Sequence, residues 1–266
     1  MEYRNKVVLI TGGTKGIGEG CARVFADAGA DVVISARDAV RGIACQDELN
    51  TQAQGSCKFI PCDVSKPDEI IAMIDEAAKL YGRIDCLINN AGYHPPHKTI
   101  DEFTLEDFTD VLQTNLVSCF AACKYVLPHL RKSRGSIINM GSLVGQMGQE
   151  AATIYCASKG AVAAFTKSLA IEECRNGVRV NCVSPGNILS DSRKQGAKEA
   201  QDPDALNRLV DSWQPTGYSG TNEDIGQLCL FLASDAAGYI TGVDHIISGG
   251  SELGYGVKHP LMFIGK

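Results

Sequence analysis

The sequence predicts an α/β protein built on one doubly wound, seven-stranded parallel sheet with helices on both faces. Three observations predict this fold class. Short apolar runs alternate with longer helical patterns, several runs are apolar at consecutive positions, and the segments between them are long enough for crossover helices. With 266 residues and no internal linker, the chain is expected to form a single domain over residues 1–266.

The strands are predicted by short runs that are rich in Val, Ile and Leu. Helical patterns such as Pro67–Tyr81 and Thr153–Cys174 separate these runs. The seven runs are Lys6–Ile10, Asp31–Ser35, Cys57–Pro61, Ile84–Ile88, Ser136–Asn139, Val178–Val183 and Val243–Ser248.

Two segments stand apart from this alternation. Residues 187–221 mix Gly, Pro, Asp and Ser around a helical middle, and a connection of this length is expected to form a mobile lid. Residues 251–266 form a C-terminal tail that is apolar from Leu253 to Ile264. Because apolar side chains are rarely left exposed in a row, the tail is expected to dock on another copy of the chain.

Composition and charge favour a small-molecule ligand over nucleic acid or a membrane. The chain is 44% hydrophobic and 21% charged, with a net charge of -6, so it has no basic stripe for phosphate backbones or anionic lipids. The eleven cysteines lie singly and form no CxxC motif, which indicates reduced thiols in a cytoplasmic protein. Cys119 and Cys123 share a helix face without a second ligand pair, so we expect them in the core and expect no metal site.

A glycine-rich turn after the first strand carries the first chemical signal. It runs from Thr11 through Gly12, Lys15, Gly16 and Ile17 to Gly18, and a helical pattern follows it. Glycines permit a tight turn and a close backbone approach, and the amide groups of the helix N-terminus attract an anion. The turn therefore predicts a dinucleotide pyrophosphate site.

The TGxxxGxG spacing of this turn resembles the short-chain dehydrogenase/reductase family, which has a Rossmann-like fold. The other motifs of that family follow in order over residues 6–250: Asp63-Val64, Asn89-Asn90-Ala91-Gly92, Asn115, Ser142, Tyr155-Cys-Ala-Ser-Lys159 and Pro185-Gly186. The resemblance implies an NAD(P)-dependent oxidoreductase that interconverts a secondary alcohol and a ketone. The expected coenzyme contacts come from the glycine turn, from the local positive charge of Lys15 and Arg37, and otherwise from this resemblance. They are Thr11, Gly12, Lys15, Gly16, Ile17, Gly18, Arg37, Asp63, Val64, Asn90, Ala91, Gly92, Tyr155, Lys159, Pro185, Gly186, Ile188 and Ser190.

Tyr155 and Lys159 are four residues apart, so a helix places them on one face. A neighbouring ammonium favours the phenolate form of tyrosine, and Tyr155 is therefore the expected acid/base group. The resemblance implies that Lys159 also binds the nicotinamide ribose, that Ser142 donates to the substrate oxygen, and that Asn115 holds a water in a proton relay.

Two other functions can be weighed against this one. A serine hydrolase needs a His partner and a nucleophile elbow, but no GxSxG motif exists and Ser142 has no evident His beside it. A non-catalytic dinucleotide-binding sensor needs the glycine turn alone, and it remains an alternative that has no use for Asn115, Tyr155 and Lys159 together.

The substrate is expected to meet Ser142, Tyr155, His94 and Gln149. Four stretches resemble the hydroxysteroid dehydrogenases of the family, which implies a 17-beta-hydroxysteroid: Gly92–Pro96, Ser142–Gly145, Ser184–Ile188 and Gly250–Gly256 of the tail. A small sugar of the L-fucose kind is the alternative. The family resemblance also implies a homotetramer that pairs the long helices around Asn115 and Tyr155.

The end of the second strand bears on the choice of coenzyme. An acid there would bind the ribose 2′-hydroxyl of NAD, but Ala36 occupies that position and Arg37 follows it. A guanidinium suits a 2′-phosphate, and Lys15 adds a second cation. We expect NADP, with NAD as the alternative because Asp38 is close enough in sequence to bind the ribose.

Overall fold

The computed structural model describes residues 1–190, 193, 196 and 198–253. Part of the predicted lid and the tail from residue 254 onward therefore lie outside the described residues. Within them, all seven strands join one parallel sheet in the order β3-β2-β1-β4-β5-β6-β7, which confirms the predicted single-domain fold class.

Each predicted strand is present, with ends shifted by one or two residues. The strands are β1 (Val7–Thr11), β2 (Asp31–Ala36), β3 (Ser56–Pro61), β4 (Cys86–Asn89), β5 (Ser136–Met140), β6 (Arg179–Pro185) and β7 (Asp244–Ile247).

The helices cover both faces of the sheet. They are α1 (Gly16–Asp27), α2 (Ala39–Gln52), α3 (Pro67–Tyr81), α4 (Leu105–Leu112), α5 (Ser118–Ser133), α6 (Val144–Met147), α7 (Thr153–Glu173), α8 (Pro203–Asp211) and α9 (Asn222–Ala233), with a π-helical turn at Gln113–Val117. In the described part of the chain, no helix is both long and apolar enough to cross a bilayer.

Two hydrophobic cores lie on opposite faces of the sheet. Successive strand residues point to opposite faces, so Val8 and Ile10 join the core beneath α1 and α9, while Val7 and Leu9 join the core beneath α3 and α5. Cys119 belongs to the second core, as the sequence predicts, and its thiol lies 3.3 Å from Oδ1 of Asn139. This two-sided burial explains why the strands are apolar at consecutive positions.

The order of the strands reverses between β1 and β4, and the chain is tied together at that point. The Thr11 hydroxyl, at the end of β1, accepts hydrogen bonds from the backbone N–H groups of Asn90 and Ala91, both at 3.1 Å. The Asn90 amide donates back to the carbonyls of Thr11 and Gly12, both at 3.0 Å. Ligands of doubly wound sheets bind in the crevice at such a reversal, so these bonds shape its floor.

The Thr11 hydroxyl provides a test of this link. We expect Thr11→Val, which keeps the shape of the buried side chain, to lower the free energy of unfolding by about 1–3 kcal/mol because two backbone donors lose their acceptor. Thr11→Ser keeps the hydroxyl and should recover most of that loss. Urea denaturation of the three proteins measures the effect, and a Val variant as stable as the parent would contradict it.

Candidate active site

The glycine turn has the geometry that an anion site requires. Gly12 and Gly16 adopt positive φ angles of 66° and 56°. A Cβ on Gly18 would lie 2.2 Å from the carbonyl oxygen of Gly12, so only glycine lets α1 begin against the turn. The side chain of Lys15, at the N-cap, does not cap the helix, which leaves the first amide groups of α1 available to an anion.

These residues fit the pyrophosphate of a dinucleotide. A Cβ on Gly16 would lie 3.8 Å from the Cβ of Ser190, which places Ser190 beside the turn, as the resemblance implies. Ile188 stands at the base of the predicted lid, where it bridges to Gly220. Nothing in the described turn fills the space over Gly16, so a phosphate can approach its backbone.

The residues after β2 present a cation where the adenosine ribose is expected. The Asp38 carboxylate caps α2 by accepting from the backbone N–H of Arg41 at 3.0 Å. Arg37 is exposed. Two hydrogen bonds from Ser65 lower the pKa of Asp63 below its ordinary value, and the Arg37 charge adds to that shift. Arg37 therefore lies near Asp63 at the adenosine end, while Asp38 serves the helix.

Arg41 is a residue that the sequence reasoning missed. Its Nε donates to the carbonyl oxygen of Thr14 at 2.7 Å, and its guanidinium lies 3.6 Å from the carboxylate of Glu19. It therefore holds the glycine turn from the side of α2. Arg41 lies in the first turn of α2, shortly after Arg37 in the sequence. This second arginine after β2 was the signal that could have identified it.

The ammonium group of Lys159 is buried beside Tyr155. Its Nζ donates to the carbonyl oxygen of Met140 at 2.8 Å and lies 5.9 Å from the centroid of the Tyr155 ring. Among the described residues, no carboxylate forms an ion pair with Lys159, although the side chain is only 6% exposed. The ammonium of Lys159 thus lies beside the Tyr155 ring, as the four-residue spacing in α7 predicts.

Asn115 connects the loop after β4 to α7. Its amide nitrogen donates to the carbonyl of Tyr93 and to the hydroxyl of Ser158, both at 3.1 Å, and its oxygen accepts from the N–H of Tyr93 at 3.0 Å. A Cβ on Gly92 would lie 2.9 Å from that oxygen and 3.6 Å from Nζ of Lys159, so the three residues adjoin. The amide positions its neighbours, and the water on Asn115 stays a prediction.

Ser142 follows β5 on a loop that is fixed to β6. The N–H of Leu143 donates to the carbonyl of Pro185 at 3.0 Å, which brings the Ser142 loop to the Pro185-Gly186 motif. The Ser142 hydroxyl is partly exposed and forms no hydrogen bond within the described chain. It is therefore available to a substrate oxygen.

His94 and Gln149 border the phenol of Tyr155. The ring centroids of His94 and Tyr155 are 4.2 Å apart. Nδ1 of His94 donates to the carbonyl of Pro95 at 2.6 Å, and Nε2 lies 3.2 Å from Oε1 of Gln149. His97, which the sequence reasoning missed, lies 4.9 Å from His94 between ring centroids. The rim of the site beside Tyr155 is therefore polar.

Comparisons with known proteins match most of the chain. A family profile described as enoyl-(acyl carrier protein) reductase matches residues 12–252. An L-fucose dehydrogenase from Bos taurus is 44% identical and covers 96% of this chain and 93% of its own length, and one from Mus musculus is 42% identical over 99% and 94%. A solved L-sorbose reductase from Gluconobacter frateurii, complexed with NADPH and L-sorbose, has a TM-score of 0.91 at 28% identity and covers 94% of this chain and 98% of its own.

These relatives bear on the two substrate predictions in opposite ways. The four stretches around His94, Ser142 and Pro185 and in the tail predict a resemblance to 17-beta-hydroxysteroid dehydrogenase type 14. Four relatives that are 42–44% identical to this chain are instead named L-fucose dehydrogenases. The comparisons thus support the sugar alternative better than the steroid reading. Because the profile and the relatives span nearly the whole chain, the protein belongs to the short-chain dehydrogenase/reductase family of oxidoreductases.

Proposed function

We propose that the protein oxidises a hydroxyl-bearing carbon of a small sugar such as L-fucose, with NADP as the preferred coenzyme. The observation that carries the sugar assignment is the polar rim of His94, His97 and Gln149 beside Tyr155. A hexose needs several hydrogen-bonding groups around the reacting carbon, and an apolar steroid does not. The names of the L-fucose dehydrogenase relatives support the same substrate class.

The residues of the chain supply the proton chemistry and the positioning. A nicotinamide coenzyme held at the glycine turn would supply the acceptor for the hydride that leaves the hydroxyl-bearing carbon of the substrate. Tyr155 removes the hydroxyl proton, and Lys159 stabilises the phenolate from a buried position fixed by Met140. Ser142 donates a hydrogen bond to the substrate oxygen. The return of the proton to solvent through a water on Asn115 belongs to this proposal.

A second candidate substrate, a 17-beta-hydroxysteroid, is favoured by exposed apolar side chains in the predicted lid. Leu209 is 54% exposed and Trp213 is 49% exposed, on α8 and just after it. These side chains can cover an apolar ligand. The same apolar side chains are compatible with a sugar substrate, because a lid that closes over any substrate excludes water.

Kinetics on both substrates test the proposed function. We expect kcat/KM for L-fucose to exceed that for estradiol by at least about tenfold, and His94→Leu to lower only the sugar value, by about 10- to 100-fold, because it removes a hydrogen bond at the polar rim. Measured absorbance of the reduced coenzyme provides the rates. A larger kcat/KM for estradiol would reject the sugar assignment but would not affect the assignment as a dehydrogenase.

The acid/base role of Tyr155 has its own test. We expect Tyr155→Phe to bind the coenzyme as the parent does and to lose at least about 100-fold in kcat, because no positioned group then takes the proton. Tyr239→Phe, at a fully exposed tyrosine beyond the amino end of the sheet, is the control and should keep full activity. Near-normal turnover by Tyr155→Phe would show that another group is the base.

The coenzyme preference is tested at Arg37. We expect fluorescence titration to show tighter binding of NADP than of NAD, and Arg37→Ala to weaken NADP about 10- to 100-fold while leaving NAD nearly unchanged, because the guanidinium pairs with the 2′-phosphate. The NAD titration is the internal control. Equal weakening of both coenzymes would give Arg37 a structural role only.

A homotetramer is part of the proposal. Exposed apolar side chains lie on the π-helical turn, on α5 and on α7: Val117 is 39%, Phe120 51% and Ile171 75% exposed. Large exposed apolar side chains are typical of a subunit contact. Light scattering should give four times the 28.4 kDa of the chain. The predicted docking of the tail lies outside the described residues.

A further inference from the structure

A cavity of 560 Å³ opens at the amino ends of the strands, opposite the candidate active site at their carboxyl ends. Residues that precede or begin β1, β4 and β6 line it, among them Lys6, Arg83 and Arg179. The carboxyl ends of the same strands carry Thr11, Asn90 and Pro185. The two sites are therefore separated by the length of the strands, and the proposed function makes no use of this cavity.

Basic side chains outnumber acidic ones in the cavity lining. Two of the cations are neutralised: Arg83 donates to the Asp85 carboxylate at 2.6 and 2.9 Å, and Lys6 lies 3.1 Å from Asp235. The other two lining cations, Arg134 and Arg179, have no carboxylate partner among the described residues. The cavity thus holds an excess of positive charge in a protein whose net charge is -6.

Arg179 is partly buried without a counter-ion. Its guanidinium donates to the carbonyl oxygen of Leu232 at 2.5 Å, in the last turn of α9, and to that of Ser234 at 3.2 Å, just past the helix. Burial lowers the pKa of Arg179 below its ordinary value, and the nearby charge of Asp235 opposes that shift only in part. A bound anion would add to the stabilisation of the cation.

Arg134 faces the same cavity from the end of α5. A Cβ on Gly177 would lie 2.7 Å from Nε of Arg134, so the guanidinium rests over that glycine, and both residues line the cavity. Basic residues often serve to cap helix C-termini, as Arg179 does for α9. The backbone N–H of Arg134 donates to the carbonyl of Leu130, but its guanidinium forms no hydrogen bond within the described chain and is available to a ligand.

We propose that this cavity is a binding site for a small oxyanion, a phosphate monoester or a dicarboxylate, held by Arg134 and Arg179. Guanidinium groups bind phosphate and carboxylate oxygens through two parallel hydrogen bonds. Tyr3 also lines the cavity. Burial raises the pKa of Tyr3 well above its ordinary value, so its hydroxyl stays protonated and is a further donor.

Calorimetric titration of the full chain with inorganic phosphate, and separately with malonate, tests the proposal. Ionic strength is held constant with chloride, and saturating NAD, which carries no phosphate monoester, blocks the anion site at α1. A repeat without NAD keeps the result independent of the proposed function. We expect saturable binding of at least one of the two anions. Binding of phosphate alone would identify phosphate monoesters as the source of the ligand, and binding of malonate alone would identify dicarboxylates.

Substitutions locate the bound anion. Arg134→Gln replaces an exposed guanidinium with an uncharged amide. It should weaken anion binding at least about tenfold, since a hydrogen bond to a charged group is lost. Lys132→Gln, at an exposed residue of the same helix end outside the cavity lining, should change it by less than about twofold. Both variants should keep the parent circular dichroism and kcat. The absence of saturable binding for both anions, or binding that Arg134→Gln leaves unchanged, would overturn the proposal.

Discussion

The parallel pairing of β1 with β4 is the constraint on which the rest of the site depends. Their register places Thr11 opposite Asn89, so the Thr11 hydroxyl meets the backbone donors of the next two residues. That contact holds the glycine turn and the loop after β4 side by side. Asn115 and Lys159 lie against the loop after β4, at Tyr93 and Gly92.

The parallel direction of the strands places the partial charges of the helix ends at opposite ends of the sheet, which are here called the carboxyl edge and the amino edge after the strand ends that form them. In a parallel sheet the helices run back against the strands, so their N-termini collect at one edge and their C-termini at the other. The uncapped N-terminus of α1 lies at the carboxyl edge, where the coenzyme phosphates are expected. Arg179 meets the last carbonyls of α9 at the amino edge. One topology thus accounts for the expected coenzyme phosphate site at one end of the strands, formed by amides, and for the proposed anion site at the other end, formed by guanidinium groups.

The polar side chains near Tyr155 are held mainly by backbone groups. His94 is fixed by the carbonyl of Pro95, Asn115 by both backbone groups of Tyr93, and Lys159 by the carbonyl of Met140. Backbone partners do not change rotamer, so each group keeps its position with little dependence on its neighbours. Such preorganisation is what proton transfer at a single hydroxyl requires.

The sequence by itself determined the fold class, the seven strands, the glycine turn and the pairing of Tyr155 with Lys159. These follow from short-range patterns: alternation of apolar runs, glycine spacing, and the four-residue repeat of a helix. Only the tertiary structure decided that Asp38 caps α2, that Arg41 supports the glycine turn, and that Arg134 and Arg179 share a cavity. Arg41, Arg134 and Arg179 meet their partners because elements distant in the chain pack together, which residue spacing does not predict. For Asp38, spacing allows both a helix cap and a ribose ligand, and the structure shows the cap.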